Sequence, residues 1–391
     1  MPLEERIVRL ASRGDGVSES GRHVPMAAPG DLVAPDGSLT PGPHRQIPPC
    51  RHFPECGGCQ LQHVDDIAYA DFLRDRIAAA LAAQHVPAPE ILEPHLSPPN
   101  SRRPASLRFD RGALGFNAEA SHRVIDMREC HILRPELFAL VEPLRRLLRR
   151  FGGRGAGVRL TLADQGADVL LEKVAAEGLE AAEALTEFAG AHRLARLAIV
   201  DGYGPQTRWE PEPVTATLGG VAVPLPHGAF LQATAEGEQA LVAAVREAVG
   251  EARVVADLFS GLGTFALALD GKVFAAEGAR DASMALNSAS KSTGRSVFVE
   301  HRDLFRRPLP TKDMDRFEAV VLDPPRAGAK EQVAELARSE VPRIAFVSCN
   351  PNTFARDART LIEGGYRLCW VKPVGQFRWS THVELAAAFT R

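Results

Sequence analysis

The chain has 391 residues, 45% of them hydrophobic and 24% charged, and its formal net charge is −3. That length exceeds what one core organises and predicts two or three domains, while the near-neutral total argues against a uniformly polyanion-binding surface. No apolar run approaches the roughly 20 residues a membrane span requires, and the start Met-Pro-Leu-Glu-Glu-Arg lacks the basic and then apolar profile of a secretory leader, so a cytoplasmic protein with no membrane partner is expected.

Residues 1 to about 45 alternate short β-like runs, Arg6–Leu10 and Asp31–Val33, with turns at Gly14, Gly16, Gly21 and Gly30. That pattern predicts a small β-barrel. Pro41, Pro43, Pro48 and Pro49 mark a linker, and residues 46–228 form a central unit with a helix near 66–84 and β-like runs at Val158–Leu162 and Val169–Leu171. This unit opens with a tight cysteine trio, Cys50, Cys56 and Cys59, which in a chain of this size suggests metal binding more than disulfides. Between residues 101 and 160 stand thirteen Arg and no Lys against six acids, a local charge of +7 that would attract a nucleic-acid backbone. The alternative is that Arg145, Arg146, Arg149 and Arg150 are the solvated face of a helix.

From residue 229 to 391, strand-length apolar runs alternate with helical patterns. Val254–Phe259, Lys272–Glu277, Ser296–Glu300, Glu318–Leu322, Arg343–Val347, Tyr366–Val371 and His382–Phe389 read as strands; Arg280–Ser292, Lys330–Arg338 and Thr353–Glu363 read as helices. The alternation predicts a doubly wound α/β sheet with its ligands at the carboxyl ends of the strands. The first strand ends in Asp257-Leu258-Phe259-Ser260-Gly261-Leu262-Gly263-Thr264, and an acid, Glu277, ends the next. Glycines let backbone approach a ligand and the acid can hold two ribose hydroxyls, but the third glycine of a dinucleotide fingerprint is missing. S-adenosylmethionine, which carries no phosphate, suits this shorter loop. Asp303 follows the third strand, and Asp323-Pro324-Pro325-Arg326 ends the fourth. Ser348-Cys349-Asn350-Pro351 ends the fifth, beside a helix start at Thr353 that would favour a thiolate. Thr381-His382-Val383-Glu384 supplies a general base, Glu384 or, in the alternative, His382.

Taken together, these residues resemble the RNA 5-methyluridine methyltransferase family. The segment Ser348–Asp357 looks like its nucleophile motif and His382-Val383-Glu384 like its base motif. The resemblance implies a Rossmann-like class I methyltransferase sheet, catalytic roles for Cys349 and Glu384, and S-adenosylmethionine contacts at Gln232, Phe259, Gly261, Gly263, Thr264, Glu277, Asp303 and Asp323. Thr264 departs from the asparagine common in the family. The trio with Cys130 as a distant fourth looks like the [4Fe-4S] ligand set of the ribosomal-RNA branch, although four thiolates can equally hold zinc. Residues 1–45 look like a degenerate copy of that branch's small RNA-binding barrel, TRAM-like, which the transfer-RNA branch lacks. The expectation is therefore a multidomain α/β enzyme acting on 23S ribosomal RNA, with no protein partner. A transfer-RNA enzyme, a cytosine-C5 enzyme and a non-catalytic iron–sulfur RNA-binding protein are the alternatives.

Overall fold

The computed structural model describes residues 4–391, so residues 1–3 of the expected N-terminal barrel lie outside it. Five short strands, Glu5–Leu10, Gly16–Ser18, His23–Val24, Leu32–Val33 and Leu39–Thr40, pair antiparallel in the order third, second, first, fourth, fifth. Among the described residues this is an open half-barrel sheet rather than a closed barrel, since its outer strands are only two residues long and offer little edge to join. Ile7, Val24, Ala27 and Val33 form its own small core, and Leu10 and Ala28 are buried with the C-terminal sheet. Gly16 is required by space: a Cβ there would lie 2.8 Å from both Ile7 Cγ2 and Ala27 Cβ.

A six-stranded sheet follows, in the order Gly204–Trp209, Arg196–Asp201, Gly166–Val174, Gly152–Ala163, Pro104–Asp110, Ala113–Gly115. Helices Val141–Phe151 and Leu179–Ala191 cover it through Leu144, Leu148, Val158, Val169 and Leu185, all buried. The arginine run on the first of these helices divides in two. Arg145 is 1% exposed, with Nε 2.9 Å from Asp126 Oδ1 and Nη2 donating to Met127 O at 2.7 Å, whereas Arg146, Arg149 and Arg150 are exposed.

Sheet pairing crosses the division drawn at residues 228 and 229. The helix Asp66–Ala83, capped by Asp65 Oδ1 accepting from Ala68 N at 2.9 Å, shares the core of the C-terminal sheet. Strands Glu90–Ile91 and His95–Leu96 pair parallel with Arg367–Gly375.

The C-terminal sheet runs Val297–His301, Lys272–Glu277, Val254–Leu258, Ala319–Leu322, Arg343–Ser348, Glu384–Thr390, Arg367–Gly375. Its first five strands are parallel and the last two join antiparallel. Every strand expected from the alternation is present, with ends shifted by a few residues. The largest shift is in Arg367–Gly375, which continues past Val371 through Pro373. Its outer partners pair at Trp370 and Val371 and again at Val374 and Gly375, so Pro373, which has no N–H to give, falls in the gap between them. The helix Ala235–Val249 was not expected; Thr234 caps it, Oγ1 accepting from Gly237 N at 2.9 Å. Among the described residues no helix is long and apolar enough to cross a membrane.

Candidate active site

The parallel strands end on one edge, and strand order reverses between Val254–Leu258 and Ala319–Leu322, which opens a crevice there. One lip is the loop from Phe259 to Thr264. Phe259 has φ of 65°, Gly261 55° and Gly263 93°, left-handed values that carry the chain sharply off the strand. Gly263 is favoured both by its φ of 93° and by space, because a Cβ would lie 2.3 Å from Leu286 Cδ1 and force that side chain to move. Glu277 ties this loop to the next strand, its Oε2 accepting from Gly261 N at 2.8 Å and its Oε1 from Ala279 N at 2.6 Å. Thr264 is half-buried in the same loop. Asp303 Oδ1 accepts from the N–H groups of Phe305 and Arg306 at 3.0 and 3.3 Å, pinning a turn that sets Phe305 5.4 Å from the Phe259 ring. Phe305, 42% exposed, was not singled out in the sequence, where a lone aromatic after an acid carries no periodic signal.

Buried carboxyl groups converge below this lip. Asp257 Oδ2 accepts from Ala266 N at 2.8 Å, while its Oδ1 has no partner, and burial pushes the group to about 7. Asp323 is raised well above the ordinary range by burial and then by the charges of Glu384, Asp257 and Glu277. Glu384 is pushed to about 7 by burial, against the opposing effects of a hydrogen bond from Gln376 and the Arg326 cation. Carboxyls that resist ionisation because they crowd one another are relieved by a cationic ligand, which is what a sulfonium or ammonium group would be.

Cys349 follows directly on Arg343–Ser348. Asn350 caps the next helix, Oδ1 accepting from Asn352 N at 3.1 Å, and Pro351 is its first residue, so the helix starts two residues before the expected Thr353. Asn350 Nδ2 and Thr353 Oγ1 both donate to Arg326 O, at 3.0 and 3.2 Å, stitching the Asp-Pro-Pro-Arg turn to the cysteine. Pairing of Ser348 with Leu385 sets Glu384 beside Cys349 on the adjacent antiparallel strand. The thiol is pushed up to about 11 by burial, then by the Glu384 and Asp323 charges, with Arg326 opposing. Burial and the neighbouring Glu384 and Asp323 carboxyls thus oppose the thiolate that the helix N-terminus was expected to favour. His382 is exposed, its ring centred 5.7 Å from that of Phe377, and partial desolvation, then Arg326, Arg102 and Arg76, lower its pKa.

Gln232, 2% exposed, reaches the same site: its Oε1 accepts from Gln376 Nε2 at 2.8 Å, and Gln376 Nε2 also donates to Glu384 Oε2 at 2.8 Å. Gln376 escaped the sequence reading, since a single glutamine past a strand end has no pattern to betray it. Further out, Cys50, Cys56, Cys59 and Cys130 line one cavity, with Phe116 and Ile132 in its wall. Burial is the largest cause raising each of the four thiols, Cys59 to about 12. Among the described residues no three His, Cys, Asp or Glu side chains are placed to hold a metal ion. A second cavity, lined by Arg102, Gln376, Phe377 and Ser380, shares Gly58 and Ile132 with the thiol pocket, so the cysteines adjoin the outer wall of the carboxylate site.

A family model described as tRNA (Uracil-5-)-methyltransferase matches residues 224–391. A Zymomonas mobilis protein described only as an RNA methyltransferase is 55% identical over 99% of this chain and 100% of its own length. A 23S rRNA (uracil(1939)-C(5))-methyltransferase of Halomonas elongata is 31% identical over 87% of this chain and 76% of its own length. Among solved structures, the Pyrococcus abyssi tRNA (uracil-54, C5)-methyltransferase in complex with S-adenosyl-L-homocysteine superposes with a TM-score of 0.77 at 23% identity, over 99% of both chains. That last match corrects one expectation. An enzyme named for transfer RNA shares the fold from end to end, so the N-terminal sheet does not by itself separate ribosomal from transfer RNA as the substrate.

Proposed function

Because the chain belongs to the RNA 5-methyluridine methyltransferase family and is an S-adenosylmethionine-dependent RNA (uracil-C5)-methyltransferase, we propose that it methylates a uridine of 23S ribosomal RNA, with Cys349 as covalent nucleophile and Glu384 as general base. The observation that carries the mechanism is the pairing of Ser348 with Leu385, which sets a thiol and a carboxyl on neighbouring strand ends at the crevice. When bound, S-adenosylmethionine supplies an electrophilic methyl carbon. The lip formed by Phe259, Gly261, Gly263 and Thr264, with Gln232, Glu277, Asp303 and Asp323, is the proposed cradle. Its fit rests on the unpartnered Asp257 Oδ1 and the crowded carboxyls, which suit a cationic group.

C5 of uracil is a weak nucleophile. Addition of the Cys349 sulfur to C6 moves the ring's electron pair into an enolate, and C5 then takes the methyl group. Glu384 removes the C5 proton, the C5–C6 double bond re-forms and the thiolate departs. Before addition the thiol must pass its proton to solvent water, and the Arg326 cation favours the thiolate that results. The sulfur must meet the ring face, so the uridine has to be unstacked, and the exposed arginines of the central unit are suited to holding the flanking RNA backbone. The four cysteines are proposed to hold a [4Fe-4S] cluster that braces the wall beside Arg102. What supports this is the donor set: four thiols lining one cavity, whose deprotonation a metal would drive. Methyl transfer moves no net electron, so the cluster's role is structural.

The ribosomal substrate rests on the Halomonas relative. Transfer RNA is the second reading, favoured by the end-to-end fold match to the Pyrococcus enzyme. Mapping 5-methyluridine in total RNA from a strain lacking the protein separates them. Loss of a mark in 23S ribosomal RNA is expected; loss confined to transfer RNA refutes the ribosomal assignment.

A further inference from the structure

Gln376 is 1% exposed and sits just past the strand Arg367–Gly375. Its Nε2 donates to Glu384 Oε2 and to Gln232 Oε1, both at 2.8 Å, and its Oε1 accepts from Ala233 N at 2.9 Å. Both amide hydrogens are committed to oxygen atoms and the amide oxygen to an N–H. A flipped amide would face its oxygen towards two other oxygens and its NH2 towards a donor, so only one orientation satisfies the network. The backbone beside it is equally constrained, since Gln232 O accepts from Arg103 Nη2 at 3.0 Å.

Two consequences follow for chemistry. The hydrogen bond to Glu384 favours the ionised carboxylate and offsets burial, which is the direction a base near neutral pH needs. The hydrogen bond to Gln232 occupies that side chain's oxygen, which leaves its NH2 as the end available to a ligand. Space enforces the arrangement as well. A Cβ on Gly237, in the first turn of the helix Ala235–Val249, would lie 2.7 Å from Gln376 Cβ and 3.1 Å from its Oε1.

We propose that Gln376 is a positioning residue that couples the base Glu384 to the ligand-facing amide of Gln232, so that one buried side chain sets both the ionisation of the base and the donor polarity of the cradle. The proposal rests on Glu384 being the base. It is tested on the full-length holoenzyme by the pH dependence of kcat/KM for RNA and by calorimetric affinity for S-adenosylhomocysteine. Gln376→Met removes the donor at similar length. Its acid limb is expected to move up by about one pH unit, the equivalent of one hydrogen bond to a charged group, with several-fold weaker binding of S-adenosylhomocysteine. Gln376→Glu, which brings a second carboxyl against Glu384, moves the limb further in the same direction. Gly237→Ala presses on Gln376 without changing its chemistry, and on the Thr234 cap as well, and shifts the limb the same way by less. A residue of merely structural importance would lower activity at every pH and leave the limb where it was. If Glu384→Gln abolishes turnover yet the limb stays put in Gln376→Met and Gly237→Ala, the coupling is refuted while the base assignment stands. Retained turnover with an unchanged limb in Glu384→Gln refutes the base assignment, and the proposal with it.

Discussion

Replacing Glu384 by Gln should stabilise the protein while abolishing turnover, and the stabilisation should depend on pH. The carboxyl is 4% exposed and its pKa is raised from 4.5 to about 7, chiefly by burial. A folded pKa above the unfolded one means that the folded chain holds the proton more tightly. Stability is therefore fully present below pH 4.5 and is lost as pH rises to about 7. At about 1.4 kcal/mol per pH unit, the loss amounts to ~3 kcal/mol above neutrality. Glutamine is neutral throughout and can still accept from Gln376, so the variant avoids that loss. Removing the Glu384 charge also eases ionisation of Asp323, which adds to the gain. Urea titrations of both proteins at pH 5 and pH 8 should give a difference of ~3 kcal/mol at pH 8 and a much smaller one at pH 5. On ordinary RNA the variant should accumulate a covalent complex, because the C5 proton is no longer removed. An equal effect at the two pH values, or a destabilised variant at pH 8, would refute the buried-base account.

Other consequences are open to direct measurement. Gly263→Ala combines a φ of 93° with a 2.3 Å approach to Leu286 Cδ1, so it should cost about 3 kcal/mol and weaken S-adenosylhomocysteine binding; thermal unfolding and calorimetry read the two effects. Cys50→Ala should lower iron content and visible absorbance in anaerobically purified protein, and unchanged metal content would remove Cys50 from the ligand set. Arg146→Ala with Arg149→Ala, both exposed, should weaken RNA binding and reduce the slope of log affinity against log salt by roughly 1.4 to 1.8, as measured by fluorescence anisotropy across a salt series.

The C-terminal sheet was legible because parallel strands buried on both faces read as apolar runs, and because Gly261, Gly263, Glu277, Asp323 and Cys349 all sit at strand ends, where the alternation itself points. What lay beyond that pattern was contact between distant segments. Nothing local in Asp66–Ala83 or in the short strands at residues 90–96 says that they complete a sheet some 280 residues further on. Gln376 was invisible for the same reason: its three hydrogen bonds reach Gln232, Ala233 and Glu384, and two of those partners lie more than 140 residues away. The groups that oppose a Cys349 thiolate were not legible either, since the helix N-terminus is a sequence-local feature whereas Glu384 and Asp323 come from other strands. Arg145 belongs with these, a buried anchor inside what reads as a solvated charge run.

The account stands or falls on a bond between Cys349 and the pyrimidine ring. RNA carrying 5-fluorouridine at the methylated position, incubated with the protein and S-adenosylmethionine, should yield a denaturation-resistant adduct, since fluorine at C5 cannot leave as a proton. Peptide mapping should place the nucleotide on Cys349, and Cys349→Ala should form none. An adduct on another residue, or full methylation of ordinary RNA by Cys349→Ala, would contradict it.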